Sequence, residues 1–225
     1  MASNAPAISA HARGGPIEAY RAAVSTGADY VELDIRRTAD GDLVAFHDPR
    51  TAREHLVAAV GHARLGQLAG YAVPTVADVL AAIRGRAKGH LDLKEPGGEE
   101  ELVRLALGVL GPGGFIITTA ADASVAAIRA RFPDRDAVPV ALSVRPGVPL
   151  RRLAACGAEW AAVDHRLAVA GAVRRCRRRD VKIMVWTVNR EPEIRYWLAR
   201  RRTDVLVTDR PALAVALRDR VRPPR

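Results

Sequence analysis

The chain has 225 residues, 49% hydrophobic and 27% charged, a length and balance that suit one globular core and exclude a disordered class. No run approaches the roughly 18 apolar residues of a membrane span, and residues 1–10 lack the basic start and apolar run of a secretory signal, so a cytoplasmic location is expected. The net charge of +10 is carried by 32 arginines against three lysines, Lys88, Lys94 and Lys182.

In chain order, short β-branched runs alternate with helical stretches rich in Ala, Leu and Arg. Extended runs are expected over residues 7–11, 30–35, 89–94, 115–119, 137–143, 160–164, 181–186 and 204–208. Helices are expected over 17–26, 76–84, 99–110, 123–131, 150–155, 168–179, 192–200 and 212–220. Eight of each predict an α/β fold, a TIM (β/α)8 barrel spanning 1–225 as one domain. The alternative, a doubly wound open sheet, would usually carry a glycine-rich phosphate loop after its first strand, and His11-Ala12-Arg13-Gly14-Gly15 does not match that fingerprint. Residues 43–47, after the Asp40-Gly41 turn signal, read as a hairpin arm on the barrel's upper face. Residues 48–75 have no strong periodicity and read as a long loop. Cys156 and Cys176 lack metal-ligand spacing and read as buried thiols.

In such a barrel the site lies at the C-terminal ends of the strands. His11 ends the first run, Glu32 and Asp34 lie in the second, His47 and Asp48 end the hairpin arm, and Asp92 and Lys94 end the third. The strand period of two puts Glu32 and Asp34 on one face, and likewise Asp92 and Lys94. Burying several carboxylates together is costly unless something compensates, and one divalent cation with oxygen ligands, Mg²⁺ or Ca²⁺, is the simplest compensation. Lys94 can balance the carboxylates or hold a phosphate oxygen. Histidines beside a hard cation suit acid and base duty, because imidazole exchanges protons near neutral pH. Together these groups match phosphodiester cleavage, which needs charge stabilisation at phosphorus and a proton for a poor leaving group. The bland alternatives are structural histidines and surface ion pairs from Glu32 and Asp34 to Arg36 or Arg37. Trp186, with Asn189 following, can form a substrate-facing wall or fill core volume. Asp48 is expected to brace His47, while His55, His62 and His90 have no evident role.

The ordered series His11, Glu32-Leu33-Asp34, Thr38-Ala39-Asp40-Gly41, His47-Asp48, Pro74-Thr75, Asp92-Leu93-Lys94, Trp186-Thr187-Val188-Asn189 and Thr208-Asp209 resembles the glycerophosphodiester phosphodiesterase family over nearly the whole chain. The resemblance implies a divalent metal on Glu32, Asp34 and Asp92, and His11 and His47 as the catalytic pair. It further implies a glycerophosphodiester substrate cut to glycerol 3-phosphate and an alcohol. Three features depart from the family pattern. Ala12 separates His11 from Arg13 where His-Arg-Gly is usual, so the substrate-binding arginine is shifted by one residue. A Glu-Asn-Thr segment is missing after Gly14-Gly15-Pro16, which shortens one wall of the site. Asp92 stands where glutamate is more usual, as it also does in the related sphingomyelinase D enzymes.

Two other functions compete. Lysophospholipase D or sphingomyelinase D type cleavage would need an apolar groove for an acyl chain. A basic, non-catalytic polyanion-binding module would use the charge of +10, densest at residues 174–179. That arginine run also reads as a solvated helix end whose cations favour the helix dipole, and no specific nucleic-acid partner is expected.

Overall fold

The alternation of strands and helices resolves into a closed barrel. The computed structural model describes residues 5–52, 54–144, 150–166, 168, 170–199 and 203–221. Its barrel strands are β1 (Ala7–His11), β2 (Tyr30–Arg37), β4 (Lys88–Leu93), β5 (Phe115–Thr119), β6 (Val140–Val144), β7 (Trp160–Asp164), β8 (Lys182–Trp186) and β9 (Val205–Thr208). They pair in parallel in that order, and β1 pairs with both β2 and β9, which closes the ring. The interleaved helices are α1 (Ile17–Ser25), α3 (Val76–Ile83), α4 (Glu99–Leu110), α5 (Asp122–Arg131), α6 (Leu150–Cys156), α7 (Ala170–Arg177), α8 (Glu191–Ala199) and α9 (Pro211–Val221). No helix among the described residues is long and apolar enough to cross a membrane.

Both faces of the strands are covered, so the usual alternation of apolar and polar residues is replaced by two different buried faces. Val31, Leu33, Ile35, Leu91 and Leu93 belong to the main core with helix residues such as Leu80, Ile83 and Leu102. The opposite face points into the barrel. There the register aligns His11 with Glu32, Glu32 with His90, Asp34 with Asp92, and Asp92 with Thr118. Charged and hydroxyl side chains from four neighbouring strands are thereby stacked at one side of the interior.

The hairpin arm, β3 (Leu43–Ala45), pairs antiparallel with the end of β2. Its turn closes through Thr38 and Asp42, with Gly41 at φ +97°, a conformation that glycine adopts without a Cβ clash. Beyond Ala45 the arm is still attached, since Phe46 N–H donates to the Asp34 carbonyl at 2.9 Å, and this brings His47 over the barrel mouth. Ala45 also bonds the Pro74 carbonyl, next to Thr75, whose hydroxyl and backbone form a reciprocal capping box with Asp78 at the start of α3.

Residues 48–75 differ from the loop that the sequence predicts, because they contain α2 (His62–Ala69). Its origin is tertiary. The Asp40 carboxylate accepts from His62 N–H at 2.9 Å, and Leu65 packs with Val44, Val57 and Val73 in a small satellite core. Two buried leucines, Leu65 and Leu68, in an eight-residue helix with Gly66 inside it leave little periodicity to read. Strand β6 starts at Val140 rather than 137, because Asp134 accepts from the backbone of Asp136 and Ala137 and holds that segment in a turn. The predicted helices over 168–179 and 192–200 correspond to α7 and α8; residues 169 and 200 lie outside the described residues. Both cysteines are free and buried.

Candidate active site

At the C-terminal mouth of the barrel lies a cavity of about 400 Å³ whose wall includes His11, Glu32, His47, Asp92, Lys94 and Trp186. Its charged side begins with the two carboxylates of β2. Asp34 is fully buried and Glu32 is 3% exposed. Neither makes a surface ion pair with the neighbouring arginines, since Arg36 pairs with Glu95 and Arg37 with Glu101. Instead Lys94 Nζ lies 2.6 Å from Asp34 Oδ1 and also contacts Asp92 Oδ2. Burial disfavours the Lys94 charge, but Asp92 and Asp34 outweigh it and hold the ammonium firmly protonated.

One lysine does not satisfy three carboxylates. Glu32 Oε2 and Asp34 Oδ2 are buried without hydrogen-bond partners among the described residues. Burial, and then Asp34 and Asp92, push the Glu32 carboxyl well above its ordinary range. Ligand atoms of His11, Glu32 and Asp34 lie within 4.8 Å of one another, so these three can meet one metal ion. Asp92 stands beside them, with Oδ2 on Lys94 and Oδ1 accepting from Thr118 Oγ1 at 2.6 Å. A buried oxygen-rich cluster with orphaned carboxylate atoms is the donor set that a hard divalent cation takes.

The two histidines are held differently. His11 Nδ1 bonds Asp209 Oδ1 at 2.6 Å, which leaves Nε2 facing the cluster, 3.8 Å from Glu32 Oε2. His47 bonds Asp48 Oδ1 through Nδ1 at 2.8 Å and is half exposed at the mouth. Arg36 donates to the His47 carbonyl at 3.0 Å and so anchors its backbone. In each case a carboxylate orients the ring and fixes which nitrogen is free for chemistry.

Arg13 does not project toward the carboxylates. It lies at φ +54°, is two-thirds exposed, and donates through Nε to Asp209 Oδ1 at 2.8 Å, with a second contact from Nη2 to Oδ2. It therefore braces the partner of His11. Trp186 both lines the cavity and packs on the interior apolar cluster with Met184 and Val207, its indole Nε1 buried without a hydrogen-bond partner among the described residues.

Several site residues have no role in the reading of the sequence. Asp209 is the main one. Burial raises its carboxyl, but hydrogen bonds from His11 and Arg13 outweigh that and hold it below the ordinary range. Asn189 completes the bracket, donating Nδ2 to Asp209 Oδ2 at 2.6 Å and accepting from the Asp209 N–H at 2.9 Å. The available signal was position, since Asp209 follows β9 directly, at the face where barrels carry their chemistry. His90, Thr118 and Ser143 also line the cavity.

Comparison with known proteins agrees with this geometry. The model of the glycerophosphoryl diester phosphodiesterase family matches residues 16–213. Among solved structures, a glycerophosphodiester phosphodiesterase from Agrobacterium tumefaciens is 21% identical with a TM-score of 0.77, covering 94% of this chain and 99% of its own. A phosphodiesterase from Oleispira antarctica in complex with the product sn-glycerol-3-phosphate is 20% identical with a TM-score of 0.79, covering 96% and 97%. A glycerophosphodiester phosphodiesterase from Thermotoga maritima is 20% identical with a TM-score of 0.78, covering 95% and 98%. No curated protein sequence matches the chain. With a family match over most of its length, a closed TIM barrel and a mouth of carboxylates and histidines, the chain belongs to the glycerophosphoryl diester phosphodiesterase family and is a phosphoric diester hydrolase.

Proposed function

We propose that this enzyme cleaves glycerophosphodiesters to glycerol 3-phosphate and an alcohol, using one divalent cation, Mg²⁺ or Ca²⁺, held by Glu32, Asp34 and Asp92. The observation that carries the reading is the charge balance of the cluster. With all three carboxylates ionised, as a bound cation would hold them, the ammonium of Lys94 leaves two negative charges, the formal charge that one divalent cation neutralises. Bound there, the cation would offset charge on the phosphate oxygens. The relative solved with sn-glycerol-3-phosphate supports the product assignment.

The side chains divide the remaining work. Lys94 offers a fixed positive charge to a phosphate oxygen at the cavity wall. His11 Nε2, with Nδ1 tied to Asp209, and His47, tied to Asp48, are the acid and base. A glycerol hydroxyl next to the ester oxygen is an intramolecular nucleophile with a high effective molarity. One histidine takes the proton of that hydroxyl while the other protonates the departing alcohol, giving a cyclic glycerol phosphate; water then reopens the ring with the roles reversed. A cavity of about 400 Å³ suits a small diester.

The test is turnover of glycerophosphocholine, and separately of lysophosphatidylcholine, after chelation and after add-back of Mg²⁺ or Ca²⁺. Activity on glycerophosphocholine that disappears with chelator and returns with metal is expected. Full turnover in excess chelator would overturn the metal assignment, and exclusive cleavage of the lysolipid would overturn the substrate.

A further inference from the structure

A histidine that the reaction does not use lies under the carboxylate cluster. His90 precedes Asp92 by two residues on β4, faces inward with it, and is 4% exposed. Its Nδ1 is 3.0 Å from Ser9 Oγ on β1, and its Nε2 is 3.1 Å from Thr118 Oγ1 on β5. Thr118 Oγ1 in turn donates to Asp92 Oδ1 at 2.6 Å. Ser9 and Thr118 are buried as well, at 0% and 2% exposure. One chain of hydrogen bonds therefore crosses the interior and ends on a carboxylate.

Its direction follows from counting hydrogens. A hydroxyl has one to give, and an ionised carboxylate can only accept. Thr118 gives its hydrogen to Asp92, so toward His90 it can only accept, and His90 Nε2 must carry the ring hydrogen. Nδ1 then presents a lone pair, which takes the Ser9 hydroxyl. The opposite tautomer would require two hydrogens on Thr118 Oγ1.

We propose that His90 is a positioning residue for Asp92: locked as the Nε2–H tautomer between Ser9 and Thr118, it aims the Thr118 hydroxyl at Asp92 Oδ1 and so turns Oδ2 toward Lys94 and the cation. A carboxylate rotates broadly about its last torsion, and a fixed donor on one oxygen removes that freedom. Both ring nitrogens of His90 are engaged, so it acts through Thr118 and not on substrate. Partners that orient metal ligands are commonly worth about 10- to 100-fold in affinity or activity. The inference rests on the metal reading above.

The experiment titrates the full-length protein with Mg²⁺, Ca²⁺ and Mn²⁺ by calorimetry and measures kcat and KM for glycerophosphocholine. The variants are His90→Leu, His90→Gln, Thr118→Val and the double variant of His90→Leu with Thr118→Val. His90→Leu should lose about 10- to 100-fold in cation affinity. His90→Gln, whose amide can place an N–H near the position of Nε2, should recover most of the loss. Thr118→Val should match His90→Leu, and the double variant should be no worse than Thr118→Val, since both break one chain. In chelator, ¹⁵N ring signals of His90 should show a protonated Nε2 and a bare Nδ1. A His90→Leu protein that binds metal and turns over like the parent would overturn the inference. So would His90→Gln no better than His90→Leu, additive losses, or the Nδ1–H tautomer. A parent protein that binds none of the three ions would end the metal reading; the positioning role would then be decided by the tautomer and by the contrast between His90→Leu and His90→Gln in kcat. Should His90→Leu fail to fold, Thr118→Val and the ring signals decide it.

Discussion

The two sides of the barrel interior are built from the same repeated unit and are filled in opposite ways. On β1, β2 and β4 the inward positions hold Ser9, His11, Glu32, Asp34, His90 and Asp92. On β5 to β9, apart from Thr118 and Ser143 at the cavity wall, they hold Ile116, Ala141, Trp160, Ala162, Met184 and Val207. The first set buries charge with one lysine as compensation; the second is an apolar plug. The contrast separates the cost of the site from the source of stability. Substitutions on the charged side should therefore act mainly on turnover, except at Lys94, which compensates the buried Asp34, and those on the apolar side mainly on folding.

The largest effect is expected at the histidines. His11→Ala and His47→Ala should each lower turnover of glycerophosphocholine by about 10²- to 10⁴-fold, and His47→Ala should leave cation affinity nearly intact. Steady-state kinetics with calorimetric titration measures both. A nitrophenyl ester, whose leaving group needs no proton, should restore the variant that lacks the acid and not the one that lacks the base. Small, equal losses on both substrates would remove the histidines from the mechanism.

Lys94 and Arg13 sharpen the same comparison at the boundary of the site. Lys94→Ala strips the compensating charge from buried Asp34, at a cost of about 3–5 kcal/mol in chelator, and should also reduce turnover. Arg13 is an exposed partner of Asp209, and its pair contributes at most about 1 kcal/mol. Arg13→Ala should be the milder change in both denaturant melts and kinetics; if it proves the more damaging, the arginine reaches the phosphate despite Ala12.

On the apolar side, Met184→Ala should destabilise by about 2–5 kcal/mol, since Met184 is fully buried in the interior cluster. Chemical denaturation reads this, and cation affinity should hardly move. A Met184→Ala variant that kept its stability and lost its metal would show that the two sides are one cooperative site.

The smallest effect concerns pH. The Asp209 carboxyl lies below its ordinary value of 3.8 in the folded protein, so its ionisation favours folding above about that pH. That contribution disappears as pH falls through the depressed value. Asp209→Asn should therefore flatten the acid limb of a Tm-versus-pH curve, and identical acid limbs would show that the His11 and Arg13 bonds do not stabilise the carboxylate.

Much of this site was legible in one dimension because strand periodicity is local. Glu32 and Asp34, or Asp92 and Lys94, are two residues apart, and that spacing puts each pair on one face whatever the rest of the chain does. The hairpin arm was legible for the same reason, since Asp40-Gly41 announces its own turn. Asp209 was harder to assign, because its partners His11 and Arg13 lie 198 and 196 residues away and meet it only when β9 closes against β1. His90 looked idle until the register set it between Ser9 and Thr118. Helix α2 has no local start signal, because the carboxylate that accepts from the His62 N–H belongs to Asp40, 22 residues earlier.

The sequence by itself determined the alternation of strands and helices, the barrel that follows from it, and the carboxylates and histidines at the strand ends. Those features depend on residue type and on spacings of two to four residues. Only the tertiary structure decided which carboxylate orients which histidine, that Arg13 faces Asp209, and that Lys94 bridges Asp34 and Asp92. Those pairings depend on the register of neighbouring strands and on ring closure, which bring together side chains that no local period connects.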